Sequence, residues 1–320
     1  MIKTAFLNSQ KMPFVIEPAS AEFDSGAREL LAVCEKQTEF LHQNLMRHGA
    51  LLFRGFGLSN EVDLERFACR FSGKELLNYA GGASPRSRIE GKVYTSTEYP
   101  PDLTLALHNE LSYTNEFPTL LFFCCTIASE TGGETSIADS RRILKGIEPE
   151  IVEIFKQKGV MYVRNLDANK GSGYSWQDAF ETDDESEVEA HCRLVGSDFE
   201  WKTDGGLRLS QTRPATAVHP ETGEEVWFNQ AHGFHPSALD AETYETFISL
   251  MPEEDFRLNA KFGDGSTIPI EMLTQIRTVL ASETVLFPWQ TGDVLVLDNL
   301  LAAHGRMPFT GARKIILAMT

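Results

Sequence analysis

Two potential metal ligands stand one residue apart in TLALHNELSY, residues 104–113. Its alternating apolar residues predict a strand, whose side chains point to opposite faces in turn. His108 and Glu110 would then share one face, with Asn109 on the other. An imidazole and a carboxylate on one face could hold a metal ion. The alternative is an ordinary pair whose hydrogen bonds are satisfied inside the protein.

His304 could supply a third ligand. It follows DVLVLDNLLAA, where a predicted strand gives way to a turn. In a rolled-up sheet, such a position can face a strand from a much earlier part of the chain. Two histidines and one carboxylate form the facial triad of non-haem Fe(II) sites, which leaves coordination positions for a co-substrate and oxygen. The sequence therefore predicts an iron centre at His108, Glu110 and His304.

An arginine stands nine residues beyond His304, after MPFTGA on the predicted return strand. The planar guanidinium of Arg313 can hold a carboxylate in a bidentate grip, as a dicarboxylic co-substrate beside the metal requires. Arg313 could instead be an ordinary surface residue. Arg306 is the rival anchor, but its place in the predicted turn suits contact with solvent or substrate better.

The segment NQAHGFH offers further polar groups. Asn229 and Gln230 could give amide contacts to a polar substrate. His232 and His235 have helical spacing, but no carboxylate stands beside them. We therefore expect histidines that pack or line the substrate site rather than a second metal site.

Two loop arginines precede the predicted strand YTSTEYP. Arg86 and Arg88 could meet a substrate carboxylate or the phosphate of a phosphopantetheine arm. They could equally be solvated, as most loop arginines are.

The surrounding pattern predicts many short strands with helices at their periphery. Helical spacing marks residues 27–47, 59–72, about 140–157 and 181–194, and GALLFRGF (49–56) predicts a short strand. HPETGE is a turn between two strands, and residues 285–319 alternate strand, turn, strand, turn, strand. Such a pattern favours a mainly β jelly-roll or cupin-like barrel.

Composition narrows the functional class. The chain of 320 residues, 42% of them hydrophobic, can bury a proper core. Its formal charge of −17 repels phosphate backbones and anionic membranes, so neither nucleic acid nor a membrane is an expected partner. Without a secretory signal or an apolar span, we expect a soluble, cytoplasmic protein. The five scattered cysteines contain no CxxC pair and should be reduced and buried.

Five ordered segments, which cover the chain from about residue 78 to its end, carry a family resemblance. The sequence resembles the TauD/TfdA-like family of Fe(II)- and 2-oxoglutarate-dependent dioxygenases, especially the subgroup of syringomycin-pathway (SyrP-like) aspartate hydroxylases. The segments are NYAGGASPRSRIEGKVYTSTEYP, LALHNELSYTNEFPTLLFFCC, GGETSIADSRRIL, TRPATAVHPETGEEVWFNQAHGFH and DNLLAAHGRMPFTGARKIILAM.

The resemblance implies a double-stranded β-helix in a single domain over residues 1–320. N-terminal elements would occupy 1–77, and the β-helix core with inserted helices would occupy 78–320. It further implies that His108, Glu110 and His304 bind iron, and that 2-oxoglutarate and molecular oxygen react there. Arg313 would hold the distal carboxylate of 2-oxoglutarate, with help from the hydroxyl of Thr135.

Glu110 departs from many relatives, which have aspartate at this position. Glutamate is a known variant in the family and can still ligate iron. Halogenating relatives have a small residue there, which leaves a position for chloride. Glu110 therefore argues for hydroxylation or another oxidation over halogenation.

The subgroup resemblance also suggests a substrate. It implies β-hydroxylation of an amino acid, free or tethered as an aminoacyl group to a peptidyl carrier protein, in natural-product (antibiotic) biosynthesis. Docking of an acidic carrier to this acidic chain would need a local basic patch, for which Arg86, Arg88 and Lys92 are candidates. The alternatives are a stand-alone amino-acid hydroxylase, a desaturase or other oxidase, a chromatin-type demethylase and a non-catalytic cupin-like binding protein. The demethylase is disfavoured by the acidic chain and the lack of a zinc cluster, and the binding protein by the intact triad.

Overall fold

The computed structural model describes residues 2–19, 27–79, 81–84, 86–170 and 174–320. Ala80 and Pro85 of the segment at 78–100 lie outside the described residues. Within this part, the strands are β1 (Ile2–Phe6), β2 (Phe14–Pro18), β3 (Ala50–Phe53), β4 (Arg88–Glu90), β5 (Val93–Thr95), β6 (Leu105–His108), β7 (Leu120–Ile127), β8 (Thr131–Gly132), β9 (Thr135–Asp139), β10 (Val160–Leu166), β11 (Asp198–Trp201), β12 (Leu207–Arg213), β13 (Thr216–Val218), β14 (Glu225–Trp227), β15 (Leu258–Phe262), β16 (Val285–Phe287), β17 (Val294–Asp298), β18 (Ala302–Arg306), β19 (Phe309–Thr310) and β20 (Lys314–Met319).

Helices lie between and outside these strands. Among the described residues they are α1 (Ala27–Lys36), α2 (Thr38–His48), α3 (Glu61–Ser72), α4 (Ser140–Gly146), α5 (Pro149–Lys158), α6 (Trp176–Phe180), α7 (Glu185–Leu194), α8 (Ala231–Phe234), α9 (Ala241–Leu250) and α10 (Ile270–Glu283), with 3-10 turns at Pro236–Ala238 and Glu253–Asp255. No helix in this part of the chain is long and apolar enough to cross a membrane.

Two sheets form the barrel, as predicted for a double-stranded β-helix. The larger sheet has the order β1-β2-β3-β17-β7-β20-β5-β4, and the smaller has the order β16-β9-β18-β6. Apolar side chains from both sheets pack in one core, where Leu121 and Phe123 of β7 meet Ile137 of β9. The smaller sheet carries both histidines of the predicted triad, because β6 ends at His108 and β18 contains His304.

Strand β7 has the nearly continuous apolar sequence LLFFCCTI because both of its faces are buried. Leu121 and Phe123 face the inner core, whereas Phe122 and Cys124 face a second core on the outer side of the sheet. Helix α3 covers that outer side, and Phe67 meets Phe122 edge to face with ring centroids 5.9 Å apart. A strand buried on both faces shows no alternation of polar and apolar residues. Burial of each phenylalanine side chain contributes roughly 1.5–3 kcal/mol to the stability of the fold.

A third sheet, of order β11-β12-β10-β15, is inserted between the barrel strands in sequence. The hairpin β13-β14 follows β12 in the chain as a separate two-stranded sheet, and its turn at residues 219–224 is the predicted HPETGE turn. Helix α8 follows this hairpin and brings the NQAHGFH segment against Tyr162 of β10, whose hydroxyl accepts from the backbone N–H of Gln230 at 2.8 Å.

Several predicted boundaries shift for local reasons. The helix expected at 27–47 is two helices, α1 and α2, and the one expected near 140–157 is α4 and α5. In the second case Pro149 begins α5, and the residue before a proline disfavours helical backbone. Helix α7 begins at Glu185 rather than 181, capped by Asp184, which accepts from the Ser186 backbone N–H at 2.8 Å. All five cysteines are free, and four of them are buried.

The C-terminal region corrects two residue placements. His304 lies inside β18 rather than at a strand end, because the turn comes earlier, between β17 and β18. Arg306 is the last residue of β18 and is buried, so it is not a solvent-facing turn residue. A further short strand, β19, precedes β20.

Asn299, in the turn between β17 and β18, ties this turn to the segment after β6. Its Oδ1 accepts from the backbone N–H of Glu110 at 2.7 Å, and its Nδ2 donates to the Glu110 carbonyl at 2.9 Å. The same Nδ2 donates to the carbonyl of Pro118 at 2.8 Å. Asn299 is completely buried, so these bonds are shielded from water. One side chain therefore fixes the backbone of Glu110 relative to the strand that carries His304.

We expect Asn299→Asp to lower the free energy of unfolding by more than about 3 kcal/mol, because a buried carboxylate would face two carbonyl oxygens and donate to neither. Urea denaturation measures this loss. Asn44→Asp is the matched control, because the Asn44 side chain lies at the surface of α2 and makes one bond, to Phe40 O. It should change the unfolding free energy by less than about 1 kcal/mol. Equal losses in both variants would contradict the role given to Asn299.

Candidate active site

The two histidines come together by strand pairing. His304 of β18 is the direct partner of His108 of β6, and their ring centroids lie 4.3 Å apart. Gly305 allows this close approach, since a Cβ there would lie 2.5 Å from the carbonyl oxygen of Leu105. The backbone of β18 therefore comes close to β6 immediately beside His304.

Glu110 reaches the histidines by a different route from the one predicted. β6 ends at His108, and Glu110 lies in the following turn, where Leu111 has a left-handed φ of 53°. The position of the carboxylate therefore does not come from strand alternation. It comes from the turn and from the two hydrogen bonds between Asn299 and the Glu110 backbone. Glu110 Oε2 lies 3.8 Å from His304 Nε2. One potential ligand atom from each of His108, Glu110 and His304 lies within 4.8 Å of the others, and no other such group occurs among the described residues.

The protonation states of both histidines suit metal binding. Burial lowers the pKa of His304 well below its ordinary value, with His108 and Arg86 lowering it further. Burial also lowers the pKa of His108, although Glu110 opposes the shift. Neutral imidazole is the form that binds metals. His108 Nδ1 donates to the carbonyl of Ala106 at 2.8 Å, which leaves Nε2 free, and the buried Nδ1 of His304 has no partner.

Arg86 is a buried residue of this site. Its side chain is 2% exposed, and Nη2 lies 2.5 Å from Oε2 of Glu110. Nη2 also donates to Thr97 Oγ1 at 3.2 Å, and the guanidinium lies 4.5 Å from the centre of the Tyr79 ring. A loop arginine flanked by small residues gives no sequence signal for such burial. The prediction that Arg86 contributes to a surface patch for a carrier protein is therefore wrong.

The other two cations of that predicted patch are engaged elsewhere. Arg88 is half exposed and forms an ion pair with Glu181. Lys92 Nζ donates to the carbonyl of Leu76 at 2.7 Å. With Arg86 buried, the three residues do not form one exposed basic surface.

Two cavities meet at the triad. The larger, of about 460 Å³, is lined by His108 and Glu110, and its wall also includes Tyr79, Tyr113, Gln230, His232, His235 and Arg257. The smaller is lined by His304 together with Thr135, Arg306 and Arg313. Arg86 borders both cavities. A bound metal would thus face two compartments that differ in size and charge.

Arg313 is a cation without an anionic partner in the small cavity. Its Nε donates to the carbonyl of Gly133 at 3.1 Å, and no carboxylate in the described part of the chain pairs with it. Burial is the main cause that lowers the pKa of Arg313 to about 10, and the positive charge of neighbouring Arg306 lowers it further. Arg313 therefore remains charged at neutral pH. Thr135 Oγ1 accepts from Trp289 Nε1 at 2.9 Å. An anionic group is the ligand that this compartment suits.

Arg306, the rival anchor, is already engaged. Its guanidinium donates to the carbonyls of Tyr99, Pro100 and Leu103 at 2.9, 2.5 and 2.7 Å. Its two terminal nitrogens therefore hold the loop before β6, and only its buried Nε has no partner.

The NQAHGFH residues divide into structural and cavity-lining groups. Asn229 is not in either cavity wall; its side chain donates to Ala215 O and accepts from the Ala231 backbone N–H, so its prediction as a substrate contact is not supported. Gln230 lines the large cavity, but its amide N–H groups bond Asn109 O and Ser112 Oγ. His232 and His235 line the cavity, and burial lowers the pKa of each to about 4.

Sequence reasoning missed the residues that support the triad. Asn299 follows a buried strand, where asparagine is also a common turn former, so its position alone is ambiguous. Trp289 and Tyr79 look like ordinary core aromatics. Only the fold brings them to Thr135 and Arg86.

Comparison with known proteins gives a consistent assignment. The model of the Taurine catabolism dioxygenase TauD, TfdA family matches residues 16–320. Dapdiamide synthesis protein DdaC of Enterobacter agglomerans is 41% identical over 275 residues, which cover 86% of this chain and 83% of the relative. A clavaminate synthase-like protein of Arabidopsis thaliana is 33% identical over 322 residues, which cover 97% and 94%.

A solved structure shares the fold. PvcB, described as an Fe, alpha-ketoglutarate dependent oxygenase from an isonitrile synthetic pathway, superimposes with a TM-score of 0.55 at 15% identity. The match covers 99% of this chain and 90% of PvcB. The chain therefore belongs to the TauD/TfdA family of Fe(II)- and 2-oxoglutarate-dependent dioxygenases.

Proposed function

We propose that this dioxygenase hydroxylates an unactivated carbon of an amino-acid substrate, with iron held by His108, Glu110 and His304. The observation that carries the proposal is the position of the triad between two compartments. The small one offers Arg313 and Thr135 to a dicarboxylate, and the large one has space for a substrate. When bound, iron and 2-oxoglutarate supply the oxidation: one oxygen atom of O₂ enters the substrate, and 2-oxoglutarate becomes succinate and carbon dioxide.

The protein residues bind and orient. The two neutral imidazoles offer lone pairs, and Arg86 holds one carboxylate oxygen of Glu110 in a single orientation. Arg313 would neutralise the distal carboxylate of 2-oxoglutarate, and the Thr135 hydroxyl would lie beside that carboxylate. Thr135 and His304 in the wall of the small cavity are buried, and the low dielectric constant of such surroundings would strengthen both interactions.

Relatives support a biosynthetic context for the substrate. DdaC is named for dapdiamide synthesis and PvcB for an isonitrile synthetic pathway, so we place this chain in natural-product biosynthesis. Hydroxylation at the β carbon remains the preferred outcome, and Glu110 occupies the position that halogenation requires to be vacant. Desaturation is the alternative outcome at the same carbon.

Presentation of the substrate on a carrier protein is a separate question. The basic patch that would favour it is not present as predicted, because Arg86 is buried. Asn229 is likewise removed from the substrate contacts, whereas Arg86, Gln230 and His232 remain as candidates. A screen by mass spectrometry of free amino acids and their carrier-bound thioesters, with succinate measured in parallel, tests the proposal. Absence of succinate from every reaction with iron present would favour the non-catalytic binding protein instead.

We expect His304→Ala to lose most bound iron, because removal of one of three donors leaves a ligand pair that water cannot complete as well. Iron per protein chain, measured by atomic absorption after desalting, gives the result. His42→Ala is the matched control, because His42 is a surface residue that pairs with Glu221. Full iron occupancy and undiminished turnover in His304→Ala would refute the assignment of this ligand.

We expect Arg313→Lys to weaken 2-oxoglutarate binding about tenfold or more while iron binding persists, because lysine keeps the charge but loses the planar fork. The KM for 2-oxoglutarate and direct titration of the iron-loaded protein both report it. Arg306→Lys serves as the comparison. It should lower the thermal midpoint of unfolding and leave 2-oxoglutarate affinity nearly unchanged, because Arg306 binds the backbone of the loop at 99–103. If only Arg306→Lys weakens 2-oxoglutarate binding, Arg306 is the anchor.

A further inference from the structure

We propose that Arg86 binds the carboxylate of the substrate and His232 its ammonium group, so that the substrate is a free α-amino acid rather than a carrier-bound thioester. The inference rests on the proposed function and specifies its substrate. Both side chains border the large cavity. Both also contact the segment at 107–110, since Arg86 pairs with Glu110 and His232 with Leu107.

Arg86 has donors that the protein does not satisfy. Its Nη2 is used by Glu110 and Thr97, but Nε and Nη1 are buried and have no hydrogen-bond partner. A buried N–H of a cation without an acceptor is costly, so such a group points to a missing anion. The need increases when Glu110 also binds a metal, because one negative charge then serves two cations. A carboxylate from the substrate would supply the acceptor and the charge.

His232 has the opposite deficiency. Its Nε2 lies 2.9 Å from the carbonyl of Leu107, which can only accept, so Nε2 carries the hydrogen. Nδ1 is then a lone-pair acceptor, and it is buried without a partner. Arg277 holds the backbone of the residue by donating twice to the His232 carbonyl, at 2.8 and 3.0 Å. This acceptor suits an N–H donor such as an ammonium group.

Together the two side chains distinguish substrate classes. An α-amino acid carries one anionic acceptor and one cationic donor on neighbouring atoms, which complements unsatisfied donors on Arg86 and an unsatisfied acceptor on His232. A carrier-bound thioester has lost the α-carboxylate, so it offers Arg86 one neutral carbonyl oxygen and no negative charge. A site that hydrogen-bonds a group strongly rejects the analogue that lacks it. We therefore expect selection for the free acid.

The first test uses the unmodified protein loaded with Zn(II) and 2-oxoglutarate, so that binding is read without turnover. Calorimetric titration with the twenty common L-amino acids, one at a time, identifies the tightest ligand. Its α-carboxamide, the amine without the carboxylate, its N-acetyl derivative and its phosphopantetheine thioester are then titrated. We expect each to bind about tenfold more weakly or worse. Equal binding of the carboxamide or the thioester would overturn the proposal.

The second test uses variants, with zinc content measured in each. Arg86→Lys should weaken binding of the amino acid about tenfold or more and leave binding of the already weak carboxamide unchanged, whereas 2-oxoglutarate affinity at equal zinc content should fall by much less than tenfold. His232→Phe should remove the preference for the amino acid over its N-acetyl derivative. Arg88→Gln is the matched control, since Arg88 lies two residues away and pairs with Glu181 at the surface; it should change none of these affinities.

The outcomes separate this inference from the proposed function. A protein that binds neither metal nor 2-oxoglutarate would defeat both. Metal and 2-oxoglutarate binding without affinity for any amino acid would defeat this inference alone. A loss of 2-oxoglutarate affinity in Arg86→Lys as large as the loss of amino-acid affinity, at unchanged zinc content, would assign Arg86 to the co-substrate and overturn this inference. Selective loss of amino-acid binding in Arg257→Gln but not in Arg86→Lys would move the anion site to Arg257, the exposed arginine of the same cavity wall.

Discussion

A carboxylate buried inside a protein is stable only when its charge is compensated, and Glu110 is such a carboxylate. Its side chain pairs with buried Arg86, and its backbone is held on both polar groups by Asn299. The barrel, the turn after β6 and the turn after β17 must all be in place for this arrangement to form. A metal beside His108 and His304 would then find a ligand whose position is already determined.

The two compartments differ in the strand and in the arginines that line them. His304 of β18 lines the small cavity, and His108 of the paired strand β6 lines the large one. Arg313 lines the small cavity and has no anionic partner among the described residues. Arg306 lines it too, but its terminal nitrogens donate to three backbone carbonyls of the loop before β6. One arginine thus maintains the wall, and the other remains free for a ligand.

Much of this arrangement could be predicted, but for unequal reasons. Continuously apolar runs such as LLFFCCTI identify strands buried on both faces, and the family motifs identify the barrel. The pairing of His304 with His108 cannot follow from spacing, because it depends on the order of strands in the smaller sheet. The alternation of side chains along a strand does not account for Glu110, because β6 ends at His108 and Glu110 lies in the following turn. The burial of Arg86 had no local signal, since its partner comes from a different segment of the chain.

The chain carries a formal charge of −17, yet the buried charges around the triad are mainly positive. Arg86 and Arg313 are opposed among the described cavity residues chiefly by Glu110, which a metal would also claim. Surface carboxylates are screened by water and salt over about 10 Å, so they compensate these interior cations weakly. We therefore expect the site to favour anions, although the overall composition is acidic. Net charge predicts that nucleic acid is not a partner, but it describes the outer surface and says nothing about the charges that line an interior cavity.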